Sequence, residues 1–234
     1  YAVNAEAAVP TLKIDCELNP SSINVDMLSS LQVLEPYGAW AVGETVFVDI
    51  PGAKDLCAPK RGELDMVFSF QHMEVDQVIV KWFKTWLSPK KLSKCLTKWQ
   101  TQLPWNACYF ENHDQPRFIS RFADAKDYRI QASTMMAGLQ MTLRGTPYVY
   151  QGQEIGMTNC PMASVEEYDD INTKGEYRMA LEAGVSEEEA LAACYRFSRD
   201  NSRTPMQWDD SPNAGFTTGK PWLKVNPNYR DLNV

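Results

Sequence analysis

The chain has 234 residues and a formal net charge of −7, from 23 basic and 30 acidic side chains. That balance excludes an electrostatic partnership with nucleic acid or an anionic membrane, since both need clustered Lys and Arg. Hydrophobic residues at 44% and charged residues at 23% are ordinary globular values, which excludes a disordered, collagen-like or coiled-coil chain.

No apolar run approaches the roughly 18 residues of a spanning helix. The first residues, YAVNAEAAVP, lack the basic start and long apolar stretch of a signal peptide. The six cysteines (Cys16, Cys57, Cys95, Cys108, Cys160, Cys194) are scattered without a CxxC pair. They read as free thiols of a reducing cytoplasm. With only His72 and His113, a His-rich zinc site is not expected, and no metal or other cofactor is assigned.

Residues 24–35 have a helical pattern that stops near Tyr37-Gly38, and AWAVGE (39–44) reads as a short strand ending in a carboxylate. A loop is expected next, because Pro51, Gly52, Pro59 and Gly62 are turn signals. LDMVFSF (64–70) reads as a buried strand. Ser88-Pro89 is a capping residue with proline at the first helical position, and Leu92, Cys95, Leu96, Trp99 and Leu103 follow at helical spacing. NACYF (106–110) is a strand leading into ENHDQPR (111–117). Residues 127–144 predict a helix whose apolar face is Ile130, Met135, Leu139 and Leu143. Gly145-Thr146-Pro147 ends it, and YVYQG (148–152) predicts a fourth strand. Ser186 and Glu189 have capping-box spacing and open a helix to about Phe197. From Arg199 onward, Pro, Gly, Asn and Trp predict an ordered loop.

Alternating strands and helices make this an α/β chain with a parallel sheet, either open or closed into a barrel. Chemistry in such folds collects at the carboxyl ends of strands. Those ends carry Glu44, His113-Asp114 and Glu154. A glutamate against an apolar wall has its charged form disfavoured, so it can hold a proton near neutral pH as a general acid needs. The bland alternative is a solvated strand-end residue. Asp114 can stabilise a developing cation and His113 can donate to a hydroxyl, or the pair can be a turn cap beside a core histidine. RDNSRTPMQWDD (199–210) combines two forked guanidinium groups with Trp208. It suits planar acceptors and sugar faces, or equally a structural Arg–Asp network.

AVGE, ENHDQPR, GTPYVYQGQEIGMTN (145–159) and RDNSRTPMQWDDSPNAGFTTGKPW (199–222) occur in one order. Together they resemble the α-amylase superfamily of glycoside hydrolases, and within it the oligo-1,6-glucosidase and α-glucosidase group, from about Leu34 to Val234. The resemblance implies a (β/α)8 TIM barrel, of which 1–234 would be the C-terminal half: strands 5 to 8 and the loop after strand 8, lacking the last helix and a C-terminal β-domain. It implies retaining hydrolysis of α-1,6 and α-1,4 glucosidic bonds in short oligosaccharides by a cytoplasmic enzyme. Glu44 would be the general acid/base and Asp114 the transition-state-stabilising carboxylate. His113 and an arginine of RDNSR, Arg199 in preference to Arg203, would bind the glucose that is cleaved off. Glu74 stands where relatives carry Asp toward the leaving sugar.

The family's nucleophilic aspartate ends the fourth strand in a motif like FRMDV, with an arginine two residues before it. Asp15 follows TLKI but lacks that arginine and precedes Cys16, and Asp26 lies in a different context. The nucleophile is therefore expected outside this chain, as is the usual calcium loop, and the 234 residues alone are expected to be inactive. Trehalose-6-phosphate hydrolase, sucrose isomerase and a non-catalytic amylase-like partner protein are the alternatives within the same superfamily.

Overall fold

A computed structural model describes residues 12–15, 34–61, 63–77 and 87–234. They fall into two compact units. The first comprises the described residues up to Gln77 with 87–108 and 143–148; the second comprises 109–142 and 149–234.

In the first unit, β1 (Leu12–Asp15), β2 (Ala41–Glu44) and β3 (Met66–Phe68) form a parallel sheet in the order β1-β2-β3. Its register pairs Leu12 with Ala41, Asp15 with Glu44, and Glu44 with Phe68. β4 (Ala107–Cys108) and β5 (Thr146–Pro147) form a second parallel pair. Side chains alternate across a strand, and both faces of β2 and β3 are enclosed. Ala41 and Val67 pack with Ile50, Ala53, Leu64, Trp99 and Leu103 on one side. Val42 and Met66 pack with Ala107, Phe68 and Tyr148 on the other. The first of these clusters is covered by α1 (Ile50–Leu56) and α2 (Pro89–Gln102).

Ser88 caps α2 as its sequence predicts, accepting from Lys91 N at 3.4 Å. Other expectations change. The loop expected after Glu44 contains α1. Asp49 accepts from Gly52 N at 2.8 Å and Pro51 lies in the first turn, so the apparent breakers are helix-start residues. The strand expected at 148–152 lies earlier, at Thr146–Pro147, and 151–156 forms turns. β1 is a strand that hydrophobic patterning does not announce. The helix expected at 24–35 lies outside the described residues except for its last two.

Gly145 sets the β4–β5 register. Its φ is +152°, and a Cβ there would stand 2.1 Å from Asn106 O. That same oxygen accepts from Thr146 N at 2.8 Å. Gly145→Ala is expected to lower the free energy of unfolding by about 2–4 kcal/mol, combining backbone strain with the overlap. Urea unfolding measures it, and an unchanged midpoint would contradict this account of the register.

The second unit is helical: α3 (Phe118–Phe122), α4 (Arg129–Thr142), α5 (Ile171–Glu182), α6 (Glu187–Phe197) and a single turn, α7 (Asp200–Arg203). The predicted capping box of α6 is present in both directions. α4 is where periodicity misleads. Ile130 and Met135, expected inside, are exposed, whereas Met136 and Gln140 are buried. The inward face is polar because the neighbouring turn offers partners. Gln140 Oε1 accepts from Gln153 Nε2 at 2.7 Å, and Arg129 Nη1 donates to Ile155 O at 3.0 Å. Apolar clusters form around Tyr168, with Cys160, Met162 and Cys194, and around Met157, with Met206 and Leu232.

Candidate active site

The first unit carries Glu44 and Glu74. Glu44 is the last residue of β2. Three buried residues precede it, and it is itself only half-buried, so the strand delivers a carboxylate from the core to its open end. Both ends of β2 are fixed by side chains. Ala41 N donates to Asp65 Oδ2 at 2.7 Å, and Thr45 Oγ1 donates to Phe68 O at 3.3 Å. The turn that follows, closed by Val48 N to Thr45 O, holds Phe47 in the left-handed region (φ 67°) with its ring 92% exposed.

Asp15 stands in register with Glu44 on the adjacent strand. Asp15 lacks the sequence context of a nucleophile, yet strand pairing places residue 15 at the carboxyl end of the sheet in register with Glu44. Neighbouring strands are about 4.8 Å apart. Glu74 ends the 3-10 turn Gln71–Glu74 after β3 and is exposed, whereas Asp76, two residues on, is fully buried.

The second unit brings together four of the predicted residues. Asp114 follows Phe110 by a turn in which its own N–H donates to Asn112 Oδ1 at 2.9 Å. Its Oδ1 accepts from Arg203 Nη2 at 2.6 Å and from Arg199 Nη1 at 3.1 Å. Its Oδ2 lies 3.3 Å from His113 Nε2. Arg203 also donates from Nε to His113 O at 2.9 Å, so it grips both the backbone and the carboxylate of the pair. Arg199 donates from Nε to Asp170 Oδ1 at 2.8 Å. Its Nη2 makes no hydrogen bond among the described residues, which leaves N–H donors for a ligand. Asp114 and both arginines are a quarter to a third exposed, so the cluster is wet on one side. Glu154 is exposed and takes no part in it.

Two acids in this cluster escaped sequence reasoning. Asp170 caps α5, accepting from Thr173 N at 3.0 Å and Thr173 Oγ1 at 2.7 Å. Burial opposes its charge, but the hydrogen bonds from Thr173 and Arg199 outweigh that and hold its carboxyl below the usual range. Asp200 is fully buried, and its Oδ2 accepts from the backbone N–H groups of Asp169 and Asp170 at 2.7 and 2.8 Å. An Asp before a helical stretch is a cap signal. No local signal joins Asp170 to an arginine 29 positions away.

The same unit contains a buried ion pair. Arg117 Nη1 meets Glu111 Oε2 at 3.0 Å, and Glu111 Oε1 accepts from Phe118 N at 2.9 Å. Arg117 also donates to Gln151 O at 2.7 Å and lies over the Tyr150 ring. Burial pushes the Glu111 carboxyl up, against the pull of Arg117.

Among the aromatics, Trp99 belongs to the core, while Trp105, Trp208 and Trp222 are exposed and offer ring faces. Among the described residues no three His, Cys, Asp or Glu side chains are grouped to hold a metal ion, and no helix is long and apolar enough to cross a membrane.

The model of the α-amylase catalytic domain matches residues 25–234. The chain is 47% identical over 209 residues to an oligo-1,6-glucosidase of Parageobacillus thermoglucosidasius, covering 87% of this chain and 37% of that protein. It is 40% identical over 208 residues to the trehalose-6-phosphate hydrolase of Bacillus subtilis, with the same coverage. Among solved structures it is similar to the trehalose-6-phosphate hydrolase of Bacillus licheniformis, with a TM-score of 0.84 and 39% identity over 92% of this chain and 39% of that one. It is also similar to a sucrose complex of isomaltulose synthase from Erwinia rhapontici, with a TM-score of 0.83 and 37% identity over the same shares. The chain thus spans less than two-fifths of the length of these relatives.

Proposed function

Since this chain belongs to the α-amylase catalytic-domain family, we propose that it provides the acid and the sugar-binding cradle of a retaining α-glucosidase for short oligosaccharides. The α-1,6 bond is the preferred target and α-1,4 the second. The observation that carries this reading is the Asp114 cradle: one carboxylate held by Arg199, Arg203 and His113, with N–H groups of Arg199 left unengaged. Glu44 protonates the leaving oxygen and then, as a base, activates water. Asp114 hydrogen-bonds the glucose hydroxyls, and its charge counts most as positive charge builds on the ring. We assign the nucleophile to Asp15. The register that pairs residue 15 with Glu44 at the carboxyl ends of adjacent strands supports it. On this reading β1 to β5 are strands four to eight of a (β/α)8 barrel, one more than the sequence suggests, and the segment from Arg199 is the loop after the last strand. The missing nucleophile then no longer argues that the chain is inert. A cytoplasmic setting belongs to the same proposal and suits the five described cysteines, which are thiols.

The test uses the full-length polypeptide that carries this chain, offered isomaltose, maltose, sucrose and trehalose-6-phosphate. Isomaltose is expected to give the highest kcat/KM, releasing glucose first as the α-anomer. A preference for the phosphorylated substrate would replace this reading with trehalose-6-phosphate hydrolysis, which the second relative favours. Silence on all four would leave a non-catalytic amylase-like protein. Asp15→Asn is expected to lower kcat at least about 10³-fold, in line with the loss of a catalytic nucleophile; normal turnover would put the nucleophile elsewhere.

A further inference from the structure

Arg199 is held between two carboxylates, and one of them has no part in the chemistry proposed above. Asp170 takes Arg199 Nε at 2.8 Å, while Asp114 takes Nη1 at 3.1 Å. A guanidinium is a planar fork, so fixing Nε and Nη1 fixes the plane and the direction of Nη2. Without Asp170, the fork can turn its Nη1 and Nη2 edge onto Asp114 as a bidentate pair. That would consume the donors left for a ligand and occupy the Asp114 oxygen that now faces His113.

Asp170 is itself rigidly placed. Its backbone N–H is anchored on the buried Asp200 Oδ2, and its Oδ2 is fixed by Thr173, whose Oγ1 also meets Ser198 Oγ at 2.9 Å. The oxygen that takes Arg199 also accepts from Asn172 N at 3.2 Å, yet a hydroxyl caps a helix as well, so capping alone requires no anion facing an arginine. We propose that Asp170, backed by Asp200, is a positioning residue that sets the aim of Arg199 and keeps it from closing on Asp114.

The inference rests on the function proposed above, and the cap offers a way to separate the two roles. Asp170→Ser retains a capping oxygen for Thr173 N and removes the carboxylate from Arg199; Asp170→Ala removes both. With p-nitrophenyl α-glucoside and the full-length polypeptide, both variants are expected to lower kcat/KM at least tenfold, KM rising because Arg199 loses its donors for the sugar and kcat falling because Asp114 is engaged. Only Asp170→Ala should also lower Tm by several degrees. If Asp170→Ser recovers the wild-type KM along with Tm, Asp170 is merely a cap and the proposal fails. A second readout needs neither a variant nor turnover. The Arg199 Nε–H of the wild-type protein should exchange with water far more slowly by NMR than that of a free arginine. Exchange at the free rate would overturn the proposal. A wild-type protein that turns over no glucoside but protects this proton would refute the enzymatic reading while leaving the Asp170–Arg199 link intact.

Discussion

Glu44→Gln is expected to lower kcat on isomaltose by about 10²–10⁴-fold, the contribution of a positioned general acid and base. The substitution is close to isosteric at a half-buried strand end, with β2 fixed independently by Asp65 and by the Thr45–Phe68 hydrogen bond. Tm should therefore stay near that of the wild type, so the loss reads on chemistry alone. The pattern of the loss is more telling than its size. Glucosides with acidic leaving groups such as p-nitrophenolate need no proton to depart, so their first step should be nearly spared. Their second step, which lacks a base for water, should be restored by azide, giving the α-glucosyl azide. Equal losses for good and poor leaving groups, or turnover near normal, would remove Glu44 from the acid/base role.

The residues proposed for this chemistry are readable because each sits in a local context. Glu44 ends an apolar strand, His113-Asp114 follows another, and the caps Ser88 and Ser186 announce their helices within four positions. What was not readable depends on long-range partners. Gln140 faces inward on α4 because Gln153 meets it, and the exposed Ile130 and Met135 carry the periodicity that the buried face lacks. α5 has no apolar stripe at all: of its residues only Thr173 is buried. The neighbours of Asp15 in sequence give no sign of a role, whereas its pairing with Glu44 is a property of the sheet. The Asp114–Arg199 contact joins residues 85 positions apart, and nothing along the chain shows which carboxylate each arginine of RDNSR will choose.

The other large effect belongs to the buried pair Glu111–Arg117. Glu111 and Arg117 side chains are only 1–2% exposed. Removing one partner of such a pair strands the other charge, at a cost of about 3–5 kcal/mol. The two partners are not equivalent, because an arginine cannot shed its proton whereas a carboxylate can take one up. Glu111→Gln is therefore expected to cost the full amount, with Arg117 left donating to Gln151 O. Arg117→Met should cost less, and the cost should vary with pH. Burial already pushes the Glu111 carboxyl up, and without Arg117 the push is unopposed except by Phe118 N. A carboxyl whose folded pKa lies above its unfolded value binds its proton more tightly when folded. Stability from that proton is greatest below the unfolded value and is lost as pH rises toward the folded one. Urea unfolding should then show Arg117→Met losing more stability from pH 5 to pH 8 than the wild type does, because in the wild type Arg117 holds the carboxyl lower. The double variant should lose less than the sum of the two, since neither charge remains to be stranded. A flat profile for Arg117→Met, or additive losses in the double variant, would mean that the pair is solvated in solution.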